Sequence, residues 1–302
     1  MRLRFVTADV FTDRAFGGNP LAVLPDARGL TDDRMQAIAR EFNYSETVFV
    51  LPPDTPDHTR RVRIFTPAAE VPFAGHPTVG TAHVLAALGE IPLTGSDTRI
   101  VLEEGVGPVP VTIRCVDGRP DFCQLAVARL PEFGPEPPPP DALAAMLSLR
   151  ADDLSDQPPA RAVSCGVPFL FVTLRNRDAV GRAQLRREVW ETLLRDAWAT
   201  EVFVFAFDAG RAEAQVRARM FAPAFGIAED PATGSAAAAL AGHLADCQPM
   251  RDGTLRWVIE QGVEMGRPSL LEAEADKVDG AITAVRVGGR TVLITEGTID
   301  VP

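Results

Sequence analysis

Residues 229–242 read Glu-Asp-Pro-Ala-Thr-Gly-Ser-Ala-Ala-Ala-Ala-Leu-Ala-Gly, and this stretch decides the fold that we predict. From Gly234 onward almost every side chain is small and apolar. A helix on a protein surface is amphipathic, whereas a helix that is apolar on all sides is buried. The sequence therefore predicts a buried helix that begins at Gly234 and Ser235.

The start of this helix is also a predicted anion site. The first turn of a helix has backbone N–H groups without intrahelical partners and carries partial positive charge. A carboxylate or a phosphate is the natural ligand there, and Gly234 allows it to approach closely. Asp230 cannot bind an anion, so we expect it to hold a cationic or hydroxyl group of the same ligand.

A second stretch of this kind lies in the first half of the chain. Gly75-His76-Pro77-Thr78 is followed by ten mostly small, apolar residues up to Leu88. Proline is favoured at the first helical position, so a helix is expected to begin here as well. The pair Ser45-Glu46 comes just before an apolar strand, and we group it with Gly75 and His76 as parts of one site.

Five segments recur in the same order in both halves of the chain, which indicates an internal duplication. The pairs are Gly18–Leu24 with Gly166–Val172, a helix at 31–41 with one at 182–197, Val48–Val50 with Val202–Val204, Arg63–Pro67 with Arg219–Pro223, and Gly75–His76 with Gly234–Ser235. We predict an α+β protein of two similar domains, each a curved, mostly antiparallel sheet or open barrel around a central helix. Residues 131–140 contain six prolines and mark the boundary, so the halves are 1–130 and 131–296.

Composition narrows the function classes. A length of 302 residues suggests about two domains, on a prior of roughly 150 residues each. The net charge of −11 without a basic cluster argues against nucleic acid as a partner. No apolar stretch approaches the ~20 residues of a membrane span, and the start of the chain alternates like a strand, so a cytoplasmic protein is expected.

The cysteines and histidines indicate neither disulfides nor a metal site. Cys115, Cys123, Cys165 and Cys247 form no Cys-x-x-Cys pair, so we expect reduced thiols. His76 and His83 share a helix face, but no carboxylate joins them at the spacing of a metal site. The sequence therefore predicts no metal.

If the two halves pack about a pseudo-twofold axis, the two helix starts would meet in a cleft, where small ligands usually bind. Each candidate also has a structural reading. Glu46 could be a solvated charge at a strand end, and His76, Asp230 and Ser235 could be cap or loop residues. The joint placement favours a functional site, and Thr200 takes the position of Glu46 in the second half, which would make the site asymmetric.

The same residues carry a resemblance to a known family. Gly18–Pro20, Asn43–Thr47, Phe65–Pro67, Phe73–Gly80 and Glu229–Ala236 resemble the motifs of the phenazine-biosynthesis PhzF-like isomerases, in the order of that family. The family is similar in fold to diaminopimelate epimerase. The resemblance therefore implies two alike α+β domains with a site between them, and a chain end, residues 297–302, that returns to the first domain.

The resemblance also implies roles for single residues. Glu46 would be the general acid and base, with His76, Asp230 and Ser235 as the other polar residues of the site. The backbone of Gly75, His76, Gly234 and Ser235 would hold the substrate carboxylate, and we add Asn19 and Ser45 to the binding residues. The related epimerases have a cysteine at each helix start, where this chain has His76 and Ser235, so a two-cysteine racemase is not expected.

We therefore expect an isomerase that moves a proton within a small carboxylate or amino-carboxylate substrate, by a 1,3-type shift. Such chemistry implies no cofactor, and members of the family are often homodimers. Two alternatives stay open: an epimerase or racemase of an amino acid or a hydroxyproline-like compound, and a non-catalytic protein that binds small carboxylates. The sequence does not identify the substrate.

Overall fold

The structure is a computed structural model that describes residues 1–301. It divides into two compact units. The first unit contains Met1–Ala126 and the chain from Gly288 onward, and the second contains Val127–Val287. The predicted divisions were 130/131 and 296/297. Among residues 1–301, every helix is too short or too polar to span a membrane.

The strands and helices are numbered along the chain. The strands are β1 Arg2–Val10, β2 Asn19–Leu24, β3 Glu46–Leu51, β4 Arg60–Phe65, β5 Glu70–Val71, β6 Asp97–Glu104, β7 Gly107–Val116, β8 Arg119–Ala126, β9 Glu132–Phe133, β10 Arg161–Ser164, β11 Pro168–Thr173, β12 Glu201–Ala206, β13 Val216–Ala222, β14 Ile227–Asp230, β15 Gly253–Gln261, β16 Ser269–Val278, β17 Ala281–Gly289 and β18 Thr291–Asp300. The helices are α1 Asp32–Phe42, α2 Gly75–Ala87, α3 Pro140–Met146, α4 Arg177–Arg182, α5 Arg187–Leu194 and α6 Gly234–Asp246.

Helix α2 is the centre of the first unit. Every residue from Gly75 to Ala86 is buried, as expected for a helix that is apolar on all sides. The helix packs against β1, β2, β3, β7, β8 and β18, so the strands of this unit surround it. The predicted sheet around a central helix is confirmed here.

Helix α6 has the same place in the second unit. Gly234 and residues 236–245 are buried, and the helix packs against β10, β11, β15 and β16. Both helices that the sequence analysis placed at the centre of a domain are therefore central helices. The predicted α+β class with two similar halves is confirmed.

One predicted helix, at 182–197, is wrong as a single element. The chain forms α4 and α5, and residues 183–186 between them are not helical. The backbone N–H groups of Gln184 and Arg186 donate instead to the carbonyls of Leu147 and Met146, at the end of α3. These tertiary hydrogen bonds replace the intrahelical ones and interrupt the helix.

The strand register corrects the pairing of the two halves. Leu21 is opposite Glu46 in the parallel pair β2–β3, and Phe169 is opposite Glu201 in the parallel pair β11–β12. The next pairs agree, because Thr47 is opposite Phe65 and Val202 is opposite Phe221. The counterpart of Glu46 is therefore Glu201. The prediction that it is Thr200 is wrong by one residue, because it matched the letters Val-Phe-Val.

The end of the chain completes the first unit. Strand β18 pairs antiparallel with β1 from Thr291 opposite Val10 to Asp300 opposite Arg2. The returning segment is therefore longer than the predicted 297–302. On its other edge β1 pairs with β2, so the N-terminal strand lies inside the sheet.

Candidate active site

The candidate site in the first unit is built around Glu46 and His76. Glu46 is the first residue of β3, and His76 is the second residue of α2. Their side chains meet with His76 Nε2 3.4 Å from Glu46 Oε2, and both are largely buried. A strand start and a helix start thus bring a carboxylate and an imidazole together, which is an arrangement suited to proton transfer.

The ring of His76 is neutral at physiological pH. Burial lowers its pKa to about 3, because the imidazolium form would lose its hydration, and a hydrogen bond to the Pro20 backbone opposes this shift. Proline has no N–H group, so the Pro20 carbonyl accepts this bond. Nε2 makes no hydrogen bond, which leaves Nδ1 as the donor. In this tautomer Nε2 carries a lone pair, and that lone pair is on the side of Glu46.

Two further predicted binding residues lie in the same unit next to this pair. Asn19, a buried residue, begins β2 beside Pro20, and its Oδ1 accepts a hydrogen bond of 3.1 Å from the Ser45 hydroxyl. Ser45 precedes Glu46. The structure therefore brings Asn19, Ser45, Glu46 and His76 together.

The first turn of α2 completes this part of the site. Its N-cap residue is Ala74, whose backbone is extended and whose side chain offers no cap. Gly75 and His76 thus supply the first N–H groups of the helix, and Pro77 supplies none. Such a helix start favours an anion through partial positive charge and through N–H donors.

The candidate residues of the second unit lie on one turn that leads into α6. Asp230 is the buried last residue of β14, and the hydroxyl of Thr233 donates a hydrogen bond to its carboxylate. Gln261 Nε2 donates to the Asp230 carbonyl at 2.8 Å, and the Thr233 N–H donates to Gln261 Oε1 at 3.2 Å. Gly234 and Ser235 follow as the first residues of α6. Thr233 and Gln261, which hold the turn, were not among the residues predicted for the site.

Known proteins are similar to this chain along nearly its whole length. A family model described as "Phenazine biosynthesis-like protein" matches residues 8–297. The chain belongs to the phenazine biosynthesis-like (PhzF-like) family. An uncharacterised isomerase of Mesorhizobium japonicum is 42% identical over 300 residues, with 98% of each chain covered. The trans-2,3-dihydro-3-hydroxyanthranilate isomerase of Pseudomonas aeruginosa is 38% identical over 294 residues, with 97% of this chain and 98% of that one covered.

The PhzF-like chain is therefore an isomerase, as the resemblance implied. Among solved structures, a PhzF family protein of Bacillus anthracis matches with a TM-score of 0.89 and 25% identity over the whole of both chains. A probable proline racemase of Agrobacterium radiobacter matches with a TM-score of 0.63 and 14% identity over 99% of this chain and 93% of the other. The second likeness shows the fold alone, and it confirms the predicted epimerase-like architecture.

Glu201, the counterpart of Glu46 in the second half of this PhzF-like chain, has different neighbours. It is fully buried, and burial raises its pKa to about 7. The Thr200 hydroxyl and backbone hydrogen bonds to Ala224 and Phe225 oppose this shift. Glu46 thus lies beside an imidazole, while Glu201 holds a backbone turn. The two halves therefore differ at equivalent positions. Alignment of the halves by strand register, instead of by the letters Val-Phe-Val, would have identified Glu201 from the start.

Proposed function

We propose that this isomerase moves a proton within a small carboxylate substrate without a cofactor, and that Glu46 is both the acid and the base. The observation that carries the proposal is the buried contact of 3.4 Å between Glu46 Oε2 and His76 Nε2, one residue into α2. At this place a carboxyl group that can act as acid and base lies next to a neutral hydrogen-bond acceptor, at a helix start that suits an anion.

In the proposed reaction, ionised Glu46 removes a proton from a carbon in an allylic system next to the substrate carboxylate. The C–H electron pair forms a new double bond to the central carbon, and the electron pair of the old double bond moves to the far carbon, where it binds a proton. Glu46, whose O–H group can exchange its proton with solvent, then gives a proton to the far carbon of the three-carbon unit. No atom or electron is gained or lost, so the product is an isomer of the substrate.

The site supports both stages of this transfer. While Glu46 carries the proton, its O–H group can donate to the lone pair of His76 Nε2, which is neutral because of its low pKa. The substrate meanwhile gains negative charge on its carboxylate side. The N–H groups of Gly75 and His76 can stabilise that charge, and burial strengthens the interaction.

The name of a relative suggests which compounds to test first. The Pseudomonas aeruginosa protein at 38% identity acts on trans-2,3-dihydro-3-hydroxyanthranilate, according to its name. We therefore propose cyclohexadienyl amino-carboxylates as the substrate class. Such a compound has an amino group and a hydroxyl group besides its carboxylate.

An epimerase is the second candidate, in which the lone pair of His76 Nε2 would have to serve as a second base, although the pKa of about 3 makes this ring a weaker base than an ordinary carboxylate. Inversion at one stereocentre with an unchanged double bond would be its product. A moved double bond would be the product of the isomerase.

The test is deuterium uptake in D2O. The wild-type protein and the Glu46→Gln variant would be incubated with trans-2,3-dihydro-3-hydroxyanthranilate and with a pool of amino and hydroxy carboxylates. We expect uptake into one compound by the wild type, at least about 10²-fold less by Glu46→Gln, and retained ligand binding. Glu41→Gln is the matched control, because Glu41 is exposed at the end of α1. Uptake at the wild-type rate by Glu46→Gln would refute the assignment of the base.

A further inference from the structure

A buried carboxyl group, that of Glu104, lies beside the first turn of α2. Glu104 is the last residue of β6 and is 8% exposed. It is on the core-facing side of the strand, with Ile100 and Leu102. Its Oε1 atom is 2.6 Å from the hydroxyl of Thr78, the fully buried fourth residue of α2.

Counting protons at Thr78 indicates the protonation state of Glu104. The Thr78 hydroxyl oxygen is also 2.8 Å from the carbonyl oxygen of Ala74, the N-cap of α2. A carbonyl only accepts, and a hydroxyl has one proton to donate. If Thr78 donates to Ala74, then the short contact with Glu104 requires a proton on the carboxyl group.

The opposite assignment is costly. If Glu104 were ionised and accepted the Thr78 proton, Thr78 and Ala74 would face each other as two acceptors at 2.8 Å. The second carboxylate oxygen, Oε2, is buried and makes no hydrogen bond, so a buried negative charge would lack compensation. Burial accordingly raises the pKa of Glu104 to about 8, against the opposing effect of Thr78.

The turn that follows Glu104 holds the same segment. The N–H group of Val106 donates to the carbonyl of Pro72 at 3.1 Å. A Cβ atom at Gly105 would lie only 2.7 Å from Pro72 Cα, so the two backbones are in close contact. The β6–β7 turn thus holds the chain at Pro72, before α2 begins, and Glu104 holds it at Thr78, at the end of the first turn.

The charged groups around Glu104 do not replace its proton. On α2, His76 and His83 are neutral, because burial lowers their pKa values to about 3 and about 4. Most of the other charged residues nearby line one cavity with Glu104, and they pair with one another. They are Arg61 with Asp54, Arg63 with Asp32 and Glu70, and Glu103 with His58.

We propose that Glu104 is a positioning residue that works as a neutral acid: it donates to Thr78, which donates to Ala74, and this relay fixes the first turn of α2. The proposal rests on the proposed function in one respect, that this turn receives the substrate carboxylate. Neutrality matters for a second reason. An ionised Glu104 beside the helix start would compete with the substrate anion for its positive end.

The first experiment needs no substrate. Melting temperatures of the wild type and of Glu104→Gln would be measured from pH 4.5 to pH 9, since the glutamine amide can donate to Thr78 as the acid does. The folded-state pKa is raised, so native Glu104 keeps its proton while the unfolded chain loses it above the ordinary glutamate pKa of 4.5. Stability from Glu104 is therefore full below pH 4.5 and is lost progressively up to about pH 8.

We expect the wild type to lose about 5 °C or more relative to Glu104→Gln across that window, and the difference to be constant above it. Glu103→Gln is the matched control, since Glu103 is the preceding residue and its pKa is lowered to about 2 by backbone N–H groups and His58. A difference between the wild type and Glu104→Gln that does not change with pH would overturn the proposal. If Glu104→Gln fails to fold, infrared titration of the carboxylic-acid band in a variant with both Glu46→Gln and Glu201→Gln decides the same point, because burial also raises the pKa of Glu201. A band lost near pH 8 supports the proposal, and its absence at pH 6 overturns it.

The second experiment measures positioning. With the compound that shows deuterium uptake, the wild-type KM should rise about tenfold at pH 9, because about a tenth of the protein keeps the proton. Glu104→Gln should lack this tenfold rise of KM at pH 9. Thr78→Val should have a raised KM at every pH, and Thr78→Ser should restore the wild-type KM. Equal KM profiles for the wild type and Glu104→Gln would refute the positioning role. If no compound shows uptake, the proposed function fails while the melting data still decide the state of Glu104.

Discussion

At the residue scale, the neutral state of His76 is the feature that most constrains the chemistry. A histidine beside a carboxylate usually gains a proton, but burial here lowers the pKa of His76 to about 3. The ring therefore faces Glu46 as an acceptor and not as a cation. Its role would be to receive a hydrogen bond from the protonated form of Glu46.

This role predicts the effect of His76→Phe, which removes the lone pair and keeps a ring. We expect kcat to fall by about 10²-fold or more, because protonated Glu46 would lose its acceptor. Between pH 5 and pH 9 the wild-type profile should show no step from His76, since its folded-state pKa of about 3 lies below that range. The measurement is the pH dependence of deuterium uptake.

The control is His58→Phe, because His58 pairs with Glu103 and does not contact Glu46. It should retain the wild-type rate. A wild-type profile with a step near pH 6.5 that His76→Phe removes would contradict the neutral state of His76.

At the element scale, the two central helices were predictable, whereas the alignment of equivalent residues in the two halves was not. Residues 75–87 and 234–246 are apolar on all sides, and no surface position in this fold would tolerate that pattern. The equivalence of Glu46 and Glu201 in the two halves follows from the strand register, and hydrogen bonds between neighbouring strands determine that register. Likewise, the break between α4 and α5 depends on hydrogen bonds to α3, which local sequence does not contain.

The close packing of α2 predicts the effect of Gly80→Ala. A Cβ atom at Gly80 would lie 2.6 Å from Leu21 Cδ2 and from Val10 Cγ2, and both of those side chains are fully buried. The strands cannot move aside without repacking the core, so we expect a loss of about 1–3 kcal/mol in the free energy of unfolding. Urea denaturation would measure it.

Gly181→Ala is the matched control for this prediction. Gly181 is also a helical glycine, in α4, but a Cβ atom there would meet its nearest atom at 3.6 Å. Alanine is favoured over glycine in helices by up to about 1 kcal/mol, so this change should be neutral or stabilising. Equal effects of the two substitutions would show that α2 is not packed tightly against β1 and β2.

At the scale of the whole molecule, the motifs predicted the family and the isomerase, because each of them combines backbone requirements with side-chain chemistry. The substrate was not predictable, since the same helix starts would accept many carboxylates. The closeness of the candidate residues in the first unit was largely predictable, because Asn19, Ser45, Glu46 and His76 all lie in or beside the motifs. Glu104 was not predicted: the alternation of β6 puts it on the same face as Ile100 and Leu102, but only the fold shows that this face meets Thr78.

The return of the last strand to the first unit predicts the effect of Val301→Asp. Val301 is 5% exposed and packs in one cluster with Leu3, Leu24 and Met35, at the end of a strand that pairs along β1. A carboxylate there would lose its hydration without gaining a partner, so we expect a loss of about 3 kcal/mol or more. Hydrogen exchange should become faster in β1 and β2, which lie in the same unit, and should change less in α6.

Val278→Asp is the matched control, because Val278 is 53% exposed at the end of β16, and it should change stability by no more than about 0.5 kcal/mol. If the two substitutions had equal effects, the last strand would not be packed in the core of the first unit, which also supports the proposed site on β3 and α2.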